Sequence, residues 1–197
     1  MDELFWDGKR GGYFNSRADD PTVIVRLKED YDGAEPAPNS VAAMNLLRLD
    51  WMIGDVAGVV DPGTGLNEAG DSANYSVRAR RTTESLRAQW SRAPQALPQM
   101  LCALELALAE PRTVVLAGDP AAADFRALAA VGHERLGLRR ALLAADGAAG
   151  QAWLVQRKPY LAGMKPVDGR ATAYVCENFT CQAPVTNPAE LRALLNP

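Results

Sequence analysis

The run Asn39-Ser40-Val41-Ala42-Ala43-Met44-Asn45-Leu46-Leu47-Arg48-Leu49-Asp50-Trp51-Met52-Ile53 decides how the chain is to be read. After the Asn39-Ser40 pair, which reads as a helix cap, only Asn45, Arg48 and Asp50 are polar. A helix apolar in almost every direction is buried on most sides. Gly54-Asp55 ends it. Residues 56–72, with Pro62 and several glycines, read as a loop. A second helix is expected from about Ala73 to Ser91, with Tyr75, Ala79, Leu86 and Trp90 on one stripe and charge elsewhere. A third, about Pro98 to Glu110, is again apolar, with proline in its favoured first turn. Buried, amphipathic, buried is the order that alternating inner and outer helices of an (α/α) toroid produce. These helices are too few to close a ring, so the expectation is a segment of one.

Upstream, residues 4–38 read as loop and short extended pieces, and Thr22 to Leu27 (TVIVRL) has the β-branched character of a short strand or arm. Downstream the pattern changes at Pro111. Thr113 to Ala117 (TVVLA), Arg140 to Ala145 (RALLAA) and Ala171 to Cys176 (ATAYVC) read as strands, with a helix from Asp119-Pro120 to about Leu136 and a terminal helix over Pro188 to Leu195. Continuous apolar strands separated by helices predict a small, three-stranded, mainly parallel α/β unit. Residues 151–170 read as loop. The fold class expected is therefore α with α/β: a partial six-hairpin toroid segment over 1–110 and a small α/β subdomain over 111–197.

A net charge of −3, from 21 basic and 24 acidic residues, gives no footprint for nucleic acid or an anionic membrane. No apolar run approaches the ~20 residues needed to span a bilayer. Three cysteines in 197 residues argue against a disulfide scaffold and for a reducing compartment, hence a cytoplasmic protein. Arg78, Arg80 and Arg81 read as a solvated helix face. The opening Leu4-Phe5-Trp6 presents large apolar residues with nothing before them, so cover is expected from missing upstream sequence, a partner or a second copy.

Four motifs bear on chemistry. The turn Ala117-Gly118-Asp119-Pro120 follows a strand as phosphate-binding turns do, but it has one glycine, and Asp119 reads as the helix cap and would repel an anion. His133 has no catalytic neighbours and reads as structural, and Cys102 reads as core. Cys176 and Cys181 are neither a CxxC pair nor half of a zinc site. In an extended segment they would stand about 16 Å apart on opposite faces, so pairing requires a turn at Glu177-Asn178. Buried or half-buried thiols are the expectation, with a regulatory disulfide as the alternative. Finally, Glu29, Asp30 and Asp32 form a carboxylate-rich stretch ahead of the buried helix, with Trp6, Tyr13, Arg26 and Asn39 nearby in sequence. Acids able to transfer protons beside rings able to stack on a pyranose make Glu29, Asp30 and Asp32 the catalytic candidates and Trp6, Tyr13, Arg26 and Asn39 the substrate-binding ones. The bland reading of the same stretch is a turn-rich linker with Asn39 as a cap. No metal or cofactor is implied.

Gly11-Gly12-Tyr13-Phe14, Val25 to Pro36 (VRLKEDYDGAEP), Asn39-Ser40-Val41-Ala42-Ala43, Ala93-Pro94 to Met100-Leu101 and Ala173-Tyr174-Val175-Cys176 to Cys181-Gln182-Ala183-Pro184 resemble the YyaL family, thioredoxin-domain-containing proteins of the spermatogenesis-associated protein twenty-like kind. The resemblance covers nearly the whole chain and matches the family's C-terminal portion. It implies a thioredoxin-like domain and the rest of a glycosidase- or epimerase-like toroid elsewhere in a full-length protein. The function expected is a C-terminal segment of a carbohydrate-binding or carbohydrate-processing toroid, not catalytic alone. The alternative is a non-catalytic scaffold working with a thioredoxin-like domain.

Overall fold

The computed structural model describes residues 1–54, 75–135, 137, 139–177 and 180–195, so the loop expected over 56–72 lies outside the described residues. The chain forms two compact units, one of residues 1–50 and 75–109, the other of residues 51–54 and 110–195. Among the described residues there are eight α-helices and one four-stranded mixed sheet.

In the second unit, β1 (Arg112–Ala117) lies at the centre of the sheet. It pairs parallel with β2 (Arg140–Ala145) and antiparallel with β3 (Thr172–Glu177). The short β4 (Thr180–Cys181) pairs antiparallel with β3 at the edge, so the strand order is β2-β1-β3-β4. Strand periodicity sends Val114, Leu116, Ala173 and Val175 to one apolar cluster and Val115, Ala117, Leu143, Ala145 and Cys176 to another. The first face is covered by α6 (Ala123–His133) through Phe125, Leu128 and Val131, and by α8 (Pro188–Leu195) through Leu191. The second is covered by Leu154 and Val155 of α7 (Ala149–Val155), by Leu161 and Met164, and by Met52. Burial on both faces is why β1 reads as an unbroken apolar run.

The expectation of three mainly parallel strands is corrected here. The chain leaves β2 at Ala145 and returns at Thr172, and both residues lie beside Ala117 at the same end of β1. A strand re-entering from that end must run antiparallel. Residues 151–170 are likewise not simply loop: α7 occupies their start and a 3-10 turn spans Pro159–Gly163. Asp119 is not the helix cap. Its Oδ1 accepts from Ala121 N at 2.8 Å, and α6 begins only at Ala123. Asp124, in that helix's first turn, instead accepts from Phe125 N and from Ala171 N, 2.9 and 2.8 Å away. Gly118, at φ 142°, lets the strand end pass Ala171; a Cβ there would sit 3.2 Å from the Ala171 Cα.

In the first unit, α1 (Asp2–Phe5) precedes an irregular arm. The helices are α2 (Pro38–Ile53), α3 (Tyr75–Ser85), α4 (Arg87–Arg92) and α5 (Pro98–Leu108), and α3 packs on α5. The core holds Met44, Leu46, Leu47, Val77, Leu86, Leu97, Met100 and Leu106. Burial of the apolar helices is one-sided, contrary to expectation. Val41 and Leu49 of α2 are 39% and 38% exposed, and on α5 Leu108 is 88% exposed. Cys102 is also exposed, not core. The helix expected over 73–91 is broken around Leu86. In that region the hydroxyls of Thr82, Thr83 and Ser85 donate to the carbonyls of Arg78, Arg80 and Thr82, local bonds that compete with the helical ladder. No strand forms over Thr22 to Leu27: Ile24 is 98% exposed, and among the described residues no strand pairs with the stretch.

Candidate functional site

The arm begins with a turn set by Asp7. Its Oδ1 accepts from Lys9 N and Arg10 N, and its Oδ2 takes the Lys28 ammonium at 2.8 Å. The same ammonium donates to the Gly11 carbonyl. Burial pushes the Asp7 carboxyl up, but the Lys28 hydrogen bond, the two backbone N–H groups and the Lys28 charge together hold it below the usual carboxylate range. Gly11 and Gly12, at φ 74° and 75°, complete the turn. A Cβ on Gly11 would lie 2.5 Å from the Arg81 carbonyl oxygen, and one on Gly12 2.6 Å from Ser85 Oγ, so no other residue fits against α3.

The structure gives the nominated sugar-binding residues definite partners. Tyr13 is 3% exposed; its ring meets Trp6 edge-on at 5.0 Å, and its hydroxyl donates to Asp2 Oδ1 at 3.0 Å. Burial, then the Asp2 charge, pushes its phenol up to about 12. Trp6 in turn lies under the guanidinium groups of Arg78 and Arg81, 5.0 and 5.3 Å from its ring centre. Arg78 is buried and paired with Asp2 at 2.6 Å, which corrects the solvated-face reading for that residue. Leu4, Phe5 and Trp6 are half-buried against the chain's own residues. Arg26 stacks 4.1 Å from the Phe14 ring centre and donates to the carbonyls of Leu4 and Ser16. Asn39 is fully buried in the first turn of α2, where its amide closes a two-bond pair with the Tyr13 backbone: Tyr13 N donates to Oδ1 at 2.7 Å and Nδ2 to Tyr13 O at 2.9 Å.

The three acids part company. Asp32 is buried, and both its oxygens are engaged: Oδ1 with Ala37 N at 2.7 Å, Oδ2 with Gln99 N and Met100 N at 2.8 and 3.3 Å. The last two are free N–H groups of the first turn of α5, so Asp32 caps a helix 67 positions away. Glu29 and Asp30 are exposed; Gln89 reaches Asp30 at 3.4 Å. In place of one acid constellation the fold provides one buried helix cap and two surface carboxylates.

Two features lie in the α/β unit. An open cavity of about 680 Å³ sits at the carboxyl ends of β1 and β2, walled by Ala152, Val155, Ala162 and Met164 and rimmed by Asp119, Asp146 and Lys165. This is where parallel α/β sheets place ligand crevices. The signal was in the sequence as two apolar strands each followed by a glycine–aspartate turn, Gly118-Asp119 and Asp146-Gly147. The cavity's walls come from residues 151–166, which gave no readable pattern. The second feature is a disulfide: Cys176 and Cys181 stand directly opposite in the β3–β4 register, Cα atoms 3.9 Å apart. The expectation of two free thiols gives way to a disulfide, because antiparallel pairing of β3 with β4 cancels the extended separation. His133, the last residue of α6, is exposed. Among the described residues no group of three or more His, Cys, Asp or Glu side chains could hold a metal, and no helix is long and apolar enough to cross a membrane.

These features define a mixed α/β protein in which Tyr13, Arg26, Asp32 and Asn39 are tied to the chain's own backbone or side chains. No protein-family profile and no solved structure matches the chain. The chain is similar along its whole length to spermatogenesis-associated protein 20: 39% identical over 205 residues to the human protein and 38% over 204 to the mouse one. An uncharacterised protein of Caenorhabditis elegans is 29% identical over 203 residues. The chain spans about a quarter of the length of these curated relatives, 23% of the human protein.

Proposed function

We propose that this chain is a non-catalytic scaffold portion of a longer protein of the spermatogenesis-associated protein 20 kind. The observation behind the reading is the engagement of the polar side chains in and beside the arm with the backbone of the arm and of α5. Asp7, Asp32, Asn39, Arg26 and Lys28 each hold backbone in place, which leaves Glu29 and Asp30 as surface acids, the second beside Gln89. General acid–base work on a glycosidic bond needs two carboxyl groups flanking one bond. In this reading the segment stands at the C-terminal end of the longer chain. The rest of an (α/α) toroid and a thioredoxin-like domain precede it in a cytoplasmic protein, and any carbohydrate processing uses acids from outside this segment.

Calorimetric titration of the chain with a panel of mono- and disaccharides tests this. No saturable heat is expected. A saturable heat that disappears in Glu29→Ala or Asp30→Ala would overturn the scaffold reading and return the site to carbohydrate binding.

A further inference from the structure

We infer that the β3–β4 hairpin is a modification site: a disulfide opened and closed by exchange with an external dithiol, attacked at Cys181. The geometry distinguishes the two sulfurs. Cys176 is 8% exposed and belongs to the apolar cluster of Val115, Leu143, Leu161 and Met164. Cys181 lies on the edge strand, in an exposed stretch running from Thr180 to Pro184. A thiolate arriving from solvent therefore meets the sulfur of Cys181, and Cys176 is the leaving group.

The incoming thiolate forms a bond to Cys181 Sγ as the bond to Cys176 Sγ breaks, and Cys176 leaves as a thiolate that takes a proton from solvent. The second thiol of the reductant, deprotonated, then attacks its own sulfur in the mixed disulfide and releases Cys181. The reductant becomes a disulfide, and the pair gains two electrons and two protons. A reducing compartment supplies such dithiols, and disulfides there are transient.

Opening the bond has a local consequence. The pairs Cys176–Cys181 and Glu177–Thr180 lose their covalent closure, whereas the segment beyond stays fastened by the Ala173–Val185 bridge and by Leu191 in the core. Glu177 carries the ion pair to Arg112, whose guanidinium also donates to the Leu194 carbonyl in the last turn of α8. The tip of the hairpin is thus tied to the C-terminal helix through one arginine, and the redox state of the cysteines governs how firmly.

The test uses the full chain with a Cys102→Ser companion. Without reductant, maleimide labelling after denaturation should mark one of the three cysteines, and none in the companion. After native treatment with dithiothreitol all three should be marked. A thioredoxin-type protein lacking its resolving cysteine should be trapped as a mixed disulfide mapping to Cys181. Hydrogen exchange at the Gln182 amide, bonded to Val175 O at 2.9 Å, should quicken about tenfold on reduction while that of Val185 does not move. Three labelled cysteines without reductant, reduction only after denaturation, a conjugate at Cys176, or unchanged Gln182 exchange would each overturn the proposal.

Discussion

Along β1, Val114, Val115, Leu116 and Ala117 turn alternately to two apolar clusters, and the helices that cover those clusters are fixed by Leu128, Leu191 and Leu161, all fully buried. Along the arm, residues 6–37, the backbone has almost no regular partner, and charged or amide side chains hold it: Asp7 on its own turn, Lys28 across it, Asn39 on Tyr13, Asp32 on α5. The first region is stabilised by removing apolar surface from water, which is large and indifferent to detail. The second is stabilised by individual bonds, each worth little unless its loss strands a buried group. The contrast teaches where mutations, pH and chance should act on each.

Leu128→Ala gives the largest expected effect. It empties a fully buried site in the first cluster and should cost about 2–5 kcal/mol in urea unfolding. A loss below about 1 kcal/mol would mean that the sheet's face tolerates a void. Next is Asp32→Ala, which leaves the N–H groups of Ala37, Gln99 and Met100 without their acceptor and should cost about 2 kcal/mol. Asp30→Ala, by contrast, should change stability by less than about 0.5 kcal/mol. Equal effects from the two acids would erase the distinction drawn between them. Gly11→Ala should cost about 1–3 kcal/mol through its positive φ and the approach to Arg81, with the loss showing as faster amide exchange in residues 7–14.

The gentlest probe is pH. Asp7 is held below its ordinary value of 3.8, so its contribution is fully present above that value and is lost as pH falls through the folded value. Tyr13, raised from 10.0 to about 12, favours the folded state below pH 10, an advantage that fades as pH climbs toward 12. Burial also pushes the Tyr160 phenol up, so ultraviolet titration should show more than one tyrosine ionising late, and Tyr13→Phe should remove the step about two pH units above the ordinary phenol. A high-pH titration unchanged by the substitution would show that Tyr13 is not the group responsible.

The sequence made the α/β unit readable where periodicity carries the information. TVVLA and RALLAA read as apolar strands, the first buried on both faces at the centre of the sheet and the second alternating at its edge, and α6 and α8 carry apolar stripes that match. What periodicity does not encode is direction. Whether β3 runs with or against β1 depends on which end the chain re-enters, and that is set by α7 and the Pro159–Gly163 turn, which have no long pattern of their own. The arm was legible only as a collection. Gly11-Gly12-Tyr13, Asp32 and Asn39 stand out as unusual, but the bonds that tie Asn39 to Tyr13 and Asp32 to α5 join residues 26 to 68 positions apart. A carboxylate that will cap a distant helix and one that will face solvent look alike in the sequence, which is why Asp32 was grouped with Glu29 and Asp30. The cysteine pair is hidden for a related reason: separation along an extended segment is the wrong reference for two strands that pair antiparallel.

The reach of Asp32 also bears on the order in which the molecule assembles. Its Oδ2 meets donors that do not exist as a cluster until the first turn of α5 has formed, so a chain still searching for its shape offers the carboxylate only the local N–H of Ala37. Closing a loop of that length costs conformational entropy that no nearby contact refunds beforehand. The bonds that fasten the arm to α5 are therefore expected to form after the helices have docked, and to stabilise the finished state by slowing its unfolding more than by hastening its formation.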